Sequence, residues 1–252
     1  MTTRPWFTFA AHGAFIAGFV GLWELCTSGG LLEPIFFGRP SGIINFLWKG
    51  FFGDGKLWLE LAYTLFGTAV AFVAGSLAAV AVGLLFMVVP RLHRGAEPYL
   101  TLLNAMPRIA LAPLFLLWFG LGVSSKIAVG FSLTFFIVLS ATVAGIRGTN
   151  TDHLILSKSL GATSEQVFLK VTLPSAVPVI FSGLRLGLIF ALIGVVGAEL
   201  IAAEHGLGQT LAYLQSTFSM DGVMGVLFLL ALLGLGVITL MNRLERSLLH
   251  WQ

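Results

Sequence analysis

The chain is poor in charge and has almost no cysteine. Only 10% of its 252 residues are Asp, Glu, Lys or Arg, against 57% that are hydrophobic. A soluble domain of this length needs more charge to cover its surface, so the medium around most of these residues is itself apolar. The single cysteine, Cys26, excludes an intrachain disulfide and a multi-cysteine metal site. The net charge of +3 is scattered, with no block of Lys and Arg, which argues against nucleic acid as a partner. Short alternating segments are missing, which argues against a β-barrel. His12, His93, His153, His205 and His250 show no metal-ligand spacing, and no nucleophile–base constellation stands out. The reading is therefore of a chain that is not an enzyme and binds no metal or cofactor of its own.

What the sequence does contain is long apolar runs. Six fit a membrane-crossing helix, at about 7–26, 62–89, 98–121, 126–146, 179–202 and 222–241. The fold class is all-α, a single polytopic membrane domain over 1–252, with core spans within 62–241. Arg4 before the first run could suggest a secretion signal, but Trp23-Glu24-Leu25 ahead of Cys26 do not suit a small-residue cleavage site. The run is read as a retained helix. Ser124, Ser125 and Asp221 stand where helix starts need side-chain acceptors. Pro90 ends the second span and Pro98 opens the third.

Lys and Arg set an orientation. Arg4, Arg91, Arg94, Arg147, Lys158, Lys170, Arg185, Arg243 and Arg246 fall on one side, and Arg39, Lys49, Lys56 and Lys126 on the other. The richer side reads as cytoplasmic, with both termini inside. Segments 27–61 and 203–221 then lie outside, and 147–178 inside.

Segment 147–178 is longer than a connection needs. Leu156, Leu160, Val167 and Val171 share a helical face, interrupted by Gly161, a residue suited to ending a helix in the left-handed conformation. Thr163-Ser164-Glu165-Gln166 has capping-box spacing. The pattern predicts a short helix, a glycine break and a second short helix ending near Leu173-Pro174, with Pro178 leading into the fifth span. Such a segment is either an amphipathic linker on the membrane surface or a docking element for a cytoplasmic partner.

Gly161, then nine residues, then Val171-Thr172-Leu173-Pro174, resembles the cytoplasmic-loop signature of bacterial ABC importer permeases. Met106-Pro107-Arg108-Ile109-Ala110-Leu111-Ala112-Pro113-Leu114, Trp118-Phe119-Gly120-Leu121-Gly122, Ser125-Lys126-Ile127, Ala198-Glu199-Leu200-Ile201 and Gly206-Leu207-Gly208 are similar to the nitrate/sulfonate/taurine branch. The resemblance spans roughly 60–250. The family signature begins with an acidic residue and two alanines, where this chain has Ile155-Leu156-Ser157, so that acidic contact is absent. The resemblance implies a type I importer permease working as a pair, with itself or a homologue, in the bacterial inner membrane. It implies alternating access driven by a separate ATPase that uses the ATP, and an extracytoplasmic solute-binding protein that delivers a small polar solute: nitrate, a sulfonate such as taurine, or a pyrimidine precursor. It also implies an ATPase-coupling loop carried by Leu160, Gly161, Ala162, Thr163, Glu165, Gln166, Phe168, Leu173 and Pro174. A self-sufficient secondary transporter or channel is the alternative. That class tends to show paired acidic residues or an inverted repeat, and neither is evident.

Single residues leave choices open. Arg108, between Pro107 and Pro113, either shapes the translocation path, favouring anions, or snorkels to the cytoplasmic interface. Glu199 either lines an outer vestibule or sits at the water interface, too far from Arg108 for a direct pair; Glu24 and Glu60 read as interface residues. Gly183, Gly187, Gly194 and Gly197 form either tight packing within the subunit or a dimer seam. Gly50-Phe51-Phe52-Gly53-Asp54-Gly55-Lys56 has phosphate-loop spacing, but Leu57 replaces the magnesium-binding hydroxyl and no strand precedes it.

Overall fold

The computed structural model describes residues 5–248, and side chains over 11–247. Arg4 and His250 lie outside the described residues. Among those described there is no strand.

Helix α1 (Pro5–Ser28) brackets the first expected span. It is held at its end, where the Glu24 carboxylate accepts from the Ser41 amide at 3.0 Å and hydroxyl at 2.9 Å. Segment 27–61 is not a plain external loop. It contains α2 (Pro34–Phe37), α3 (Pro40–Trp48) and a π-helical turn (Lys49–Gly53). In the phosphate-loop-like stretch, a Cβ at Gly50 would run into the Leu57 side chain, so this glycine serves packing.

Helix α4 (Lys56–Val88) is continuous. Its 33 residues span roughly 50 Å at the helical rise, more than the hydrocarbon thickness. Pro90 opens α5 (Pro90–Ala105) rather than merely closing α4, and Pro98 lies inside α5 instead of starting it. The expected third span is two helices. After α5 come a 3₁₀ turn (Arg108–Leu111) and α6 (Ala112–Phe119), and the two parts meet at 86°. The cause is local. Pro107 disfavours helical geometry in the residue before it, and Met106 is extended, with φ −71° and ψ 137°.

Helix α7 (Val123–Arg147) is the centre of the bundle, packed between α4 and α10 (Leu173–Ile201). Ser125 does not cap it; its hydroxyl donates to the Gly122 carbonyl. Close approach depends on small residues. A Cβ at Gly75 would sit 2.9 Å from Thr134 Cβ, and one at Gly187 would sit 2.7 Å from Val138 Cγ2. Gly183 packs on Ala141 and Gly194 on Leu133 and Gly130, so three of the four α10 glycines serve packing within the chain. Gly197 instead borders an apolar groove shared with α12. The buried Thr64, Thr134 and Thr142 hydroxyls find carboxylate or carbonyl acceptors, as buried polar groups must.

Helices α8 (Thr151–Ser159) and α9 (Ser164–Val167) occupy the connection from α7. A π turn (Phe168–Thr172) then runs directly into α10. The expected stop near Leu173-Pro174 is absent, and Ser164–Ile201 is one helical run. Pro174 has no amide to donate and crowds the preceding turn; the wider turn, with Leu173 N–H donating to Phe168 O, makes room for it. Pro178 likewise lies inside α10. Helix α11 (Leu207–Ser216) packs on α10, and α12 (Met220–Leu248) closes the bundle. Asp221 lies within the first turn of α12 and accepts from the Arg39 amide at 2.7 Å, tying α12 to the α2–α3 hairpin. Among the described residues four helices are long and apolar enough to cross a membrane, or five if the bent pair is one span; α1 extends into residues not fully described.

Candidate functional site: a turn-rich docking segment and a buried ion pair

The segment between α7 and α10 is built from short-range bonds. Asn150 caps α8, its side chain accepting from the Asp152 amide at 2.8 Å. Gly161 has φ +80°, and its amide donates to Lys158 O while Ala162 N–H donates to Ser157 O, both at 3.0 Å. This is the glycine-terminated helix end in which a left-handed residue satisfies the last carbonyls. Two residues on, the capping box closes. Thr163 Oγ1 accepts from the Gln166 amide at 3.2 Å, and Gln166 Oε1 from the Thr163 amide at 2.9 Å. Val167 and Thr172 anchor the stretch inward, with Phe168 half-buried.

The outward side is apolar as well as polar. Leu160 is 80% exposed, and Leu156, Ile155 and Leu169 are also exposed, alongside Glu165 and Pro174. The four residues expected on one face are split by the turn: Leu156 and Leu160 point out, while Val167 is buried and Val171 half-buried. Two caps and the inward Val167 and Thr172 hold this surface in place.

Glu199 is in neither of its two expected places. It is fully buried, and its carboxylate takes a hydrogen bond from Lys126 Nζ at 2.7 Å. Thr64 Oγ1 lies 2.9 Å from Oε2, and the Gly208 amide donates to the same oxygen at 3.0 Å. Lys126, counted as an external loop charge, is buried inside α7 and also donates to His205 O. Glu60 is no free interface residue either: it accepts from the Gly206 amide and sits 3.2 Å from His205 Nδ1. The chain between α10 and α11 is thus clamped onto α4 and α7, with the Glu199 carboxylate at the positive N-terminal end of α11. A Cβ at Gly206 would collide with this carboxylate, which explains a glycine there with φ +125°.

Arg108 is buried in the 3₁₀ turn after the break, remote from this pair in its contacts. Its guanidinium lies 4.2 Å over the Phe136 ring, and Nη2 donates to Asn104 Oδ1 at 2.5 Å and Leu103 O at 3.3 Å. It therefore does not snorkel. Lys126 stands in the Ser125-Lys126-Ile127 stretch, but no local pattern singles it out, because its partner lies 73 residues away. Among the described residues no cluster of three or more His, Cys, Asp or Glu is placed to hold a metal ion.

Comparison with known proteins agrees with this architecture. Residues 71–250 match the family described as binding-protein-dependent transport system inner membrane component. The formylaminopyrimidine transport permease protein ThiX of Halalkalibacterium halodurans is 36% identical over 76% of this chain and 75% of its own length. The taurine transport system permease protein TauC of Escherichia coli is 30% identical over 94% of this chain and 87% of its own. The fold is similar to that of the MetNI methionine ABC transporter in inward-facing conformations, with TM-score 0.65, 22% identity, and coverage of 77% of this chain and 98% of that one. The chain belongs to the inner-membrane permease components of binding-protein-dependent ABC transport systems.

Proposed function

We propose that this permease forms, with a second copy or a homologue, the solute path of an importer whose ATP is used entirely by a separate cytoplasmic subunit. Both termini and segment 147–178 face the cytoplasm, and an extracytoplasmic binding protein delivers the solute. The observation that carries this reading is the exposed, doubly capped segment 160–174. An 80%-exposed leucine on a rigid turn is poorly suited to water and well suited to a groove on a partner. From Ser164 the segment runs as one helix into α10, so a push on it is passed directly to a bundle helix. The solute is a small polar organic molecule of the kind for which the relatives are named: a formylaminopyrimidine, taurine or an aliphatic sulfonate.

Cross-linking tests the docking. In a Cys26→Ser background, Leu160→Cys is expected to cross-link to the ATPase subunit, and Leu77→Cys, on the apolar outside of α4, is not. Equal cross-linking at both, or none at Leu160→Cys in a complex that retains ATP-driven uptake, contradicts the assignment.

A further inference from the structure

A cavity of about 310 Å³ opens where α4 ends, α5 begins and α7 ends. Its floor is apolar, built from Phe86 and Met87 of α4 and Val143 and Ile146 of α7. Its rim is cationic, with His93 and Arg94 from the start of α5 and Arg147 from the last turn of α7. No carboxylate is among the residues that line it. Glu97 of α5 borders the neighbouring cleft instead, 3.9 Å from Arg147 Nη1. Arg91 adds a further charge at the same helix end. Neither Arg91 nor Arg94 has an ion-pair partner among the described residues.

The start of α5 strengthens this field. Its N-cap is Val89, which has no side-chain acceptor, Pro90 stands in its first turn, and that turn holds no acidic residue. The positive end of this 16-residue helix is therefore uncompensated beside the cavity, and such an end favours an anion. His93 is fixed at the rim. Its ring packs edge-on against Phe86, with centroids 5.0 Å apart, and its Nδ1 is 3.1 Å from Arg147 Nη2. A guanidinium only donates, so Nδ1 accepts, and the ring proton on Nε2 gives the rim a further donor.

An apolar floor under a cationic rim suits an amphiphile with an anionic head. The cavity has room for a headgroup and not for whole acyl chains. Val88, Val89 and Leu92, in the same stretch of chain, are exposed and offer apolar surface to those chains. Basic pockets between membrane helices on the cytoplasmic side recognise anionic headgroups in this way.

We infer that this cavity binds an anionic phospholipid of the cytoplasmic leaflet, with its phosphodiester held by Arg94, Arg147 and the start of α5 and its glycerol end resting on Phe86, Met87 and Ile146. The leaflet rests on the orientation proposed above; the chemistry of the ligand does not.

Native mass spectrometry of the detergent-solubilised complex with its ATPase subunit tests it, with phosphatidylglycerol or phosphatidylethanolamine added at equal concentration. Retention of phosphatidylglycerol is expected to exceed that of phosphatidylethanolamine about tenfold. Arg94→Gln changes an exposed side chain and is expected to lower phosphatidylglycerol retention about fivefold, the equivalent of about 1 kcal/mol per arginine near a membrane surface. Arg94→Gln with Arg147→Gln is expected to bring the two lipids to the same level, and Arg94→Lys to keep the preference. Arg243→Gln with Arg246→Gln removes the same charge from the exposed end of α12 and is expected to leave retention unchanged. Equal retention of the two lipids by the parent overturns the inference. So does a loss in the α12 double variant as large as that in the cavity double variant. Displacement of the lipid by equimolar inorganic phosphate also overturns it, because the apolar floor would then have no part in binding. ATP-driven uptake by the same variants reports separately on the importer reading; a complex that imports solute without any lipid preference removes this inference alone.

Discussion

The buried Lys126–Glu199 pair lends itself to a quantitative test. Its charges are 2.7 Å apart with side chains 3% and 0% exposed. At an effective dielectric near 20 the attraction is about 6 kcal/mol, much of it offset by the loss of hydration of both groups. The pair therefore contributes little net stability, yet removing one partner strands the other. Lys126→Met leaves a buried carboxylate with only the Thr64 hydroxyl and Gly208 amide. Glu199→Gln leaves an ammonium with the His205 carbonyl and a neutral neighbour. Each single variant is expected to destabilise the permease by about 3–5 kcal/mol, a fall in midpoint of about 10 °C. The double variant Lys126→Met with Glu199→Gln removes both charges and keeps an acceptor for Gly208 and Thr64. It is expected to lie within about 2 kcal/mol of the parent, far from the sum of the singles. Thermal unfolding of the detergent-solubilised complex reads the four midpoints. Single variants that unfold with the parent, or a double variant that adds the two losses, would refute the clamp.

Further outcomes follow from local geometry. Gly161→Ala places a Cβ in open space but at φ +80°, which costs about 1–2 kcal/mol in the turn; ATP-coupled uptake should fall while membrane insertion is unchanged. Thr163→Ala removes one half of the capping box and should cost about 1 kcal/mol of local stability, read as faster amide exchange in α9 and weaker retention of the ATPase subunit. Leu160→Asp should leave the unfolding midpoint unmoved and abolish co-purification of that subunit, because the side chain touches little of its own chain. Gly194→Leu should destabilise strongly, since even a Cβ would lie 3.0 Å from Gly130 Cα, while Gly197→Ala, with its nearest neighbour 3.6 Å away, should be tolerated; expression and midpoint distinguish the two.

What could be read in advance depended on sequence distance. The long apolar runs at 62–89, 126–146 and 222–241 correspond to α4, α7 and α12, because a lipid environment leaves a helix few alternatives. The Gly161 turn and the Thr163 box were equally legible, since each is closed by bonds spanning three to five residues. The break at Met106 is also written locally, in the residue before Pro107, but the apolar run over 98–121 continues across it. The Lys126–Glu199 clamp joins positions 73 apart and depends on how α7 and α10 rotate against each other, which no periodicity in either helix states.

The most direct test of the central claim is solute uptake into proteoliposomes, with a solute retained by the partner binding protein. The account predicts uptake only when the permease is reconstituted with its ATPase subunit and ATP is supplied on the side facing segment 147–178. Sustained, concentrative uptake by this chain alone, without ATP, would contradict it.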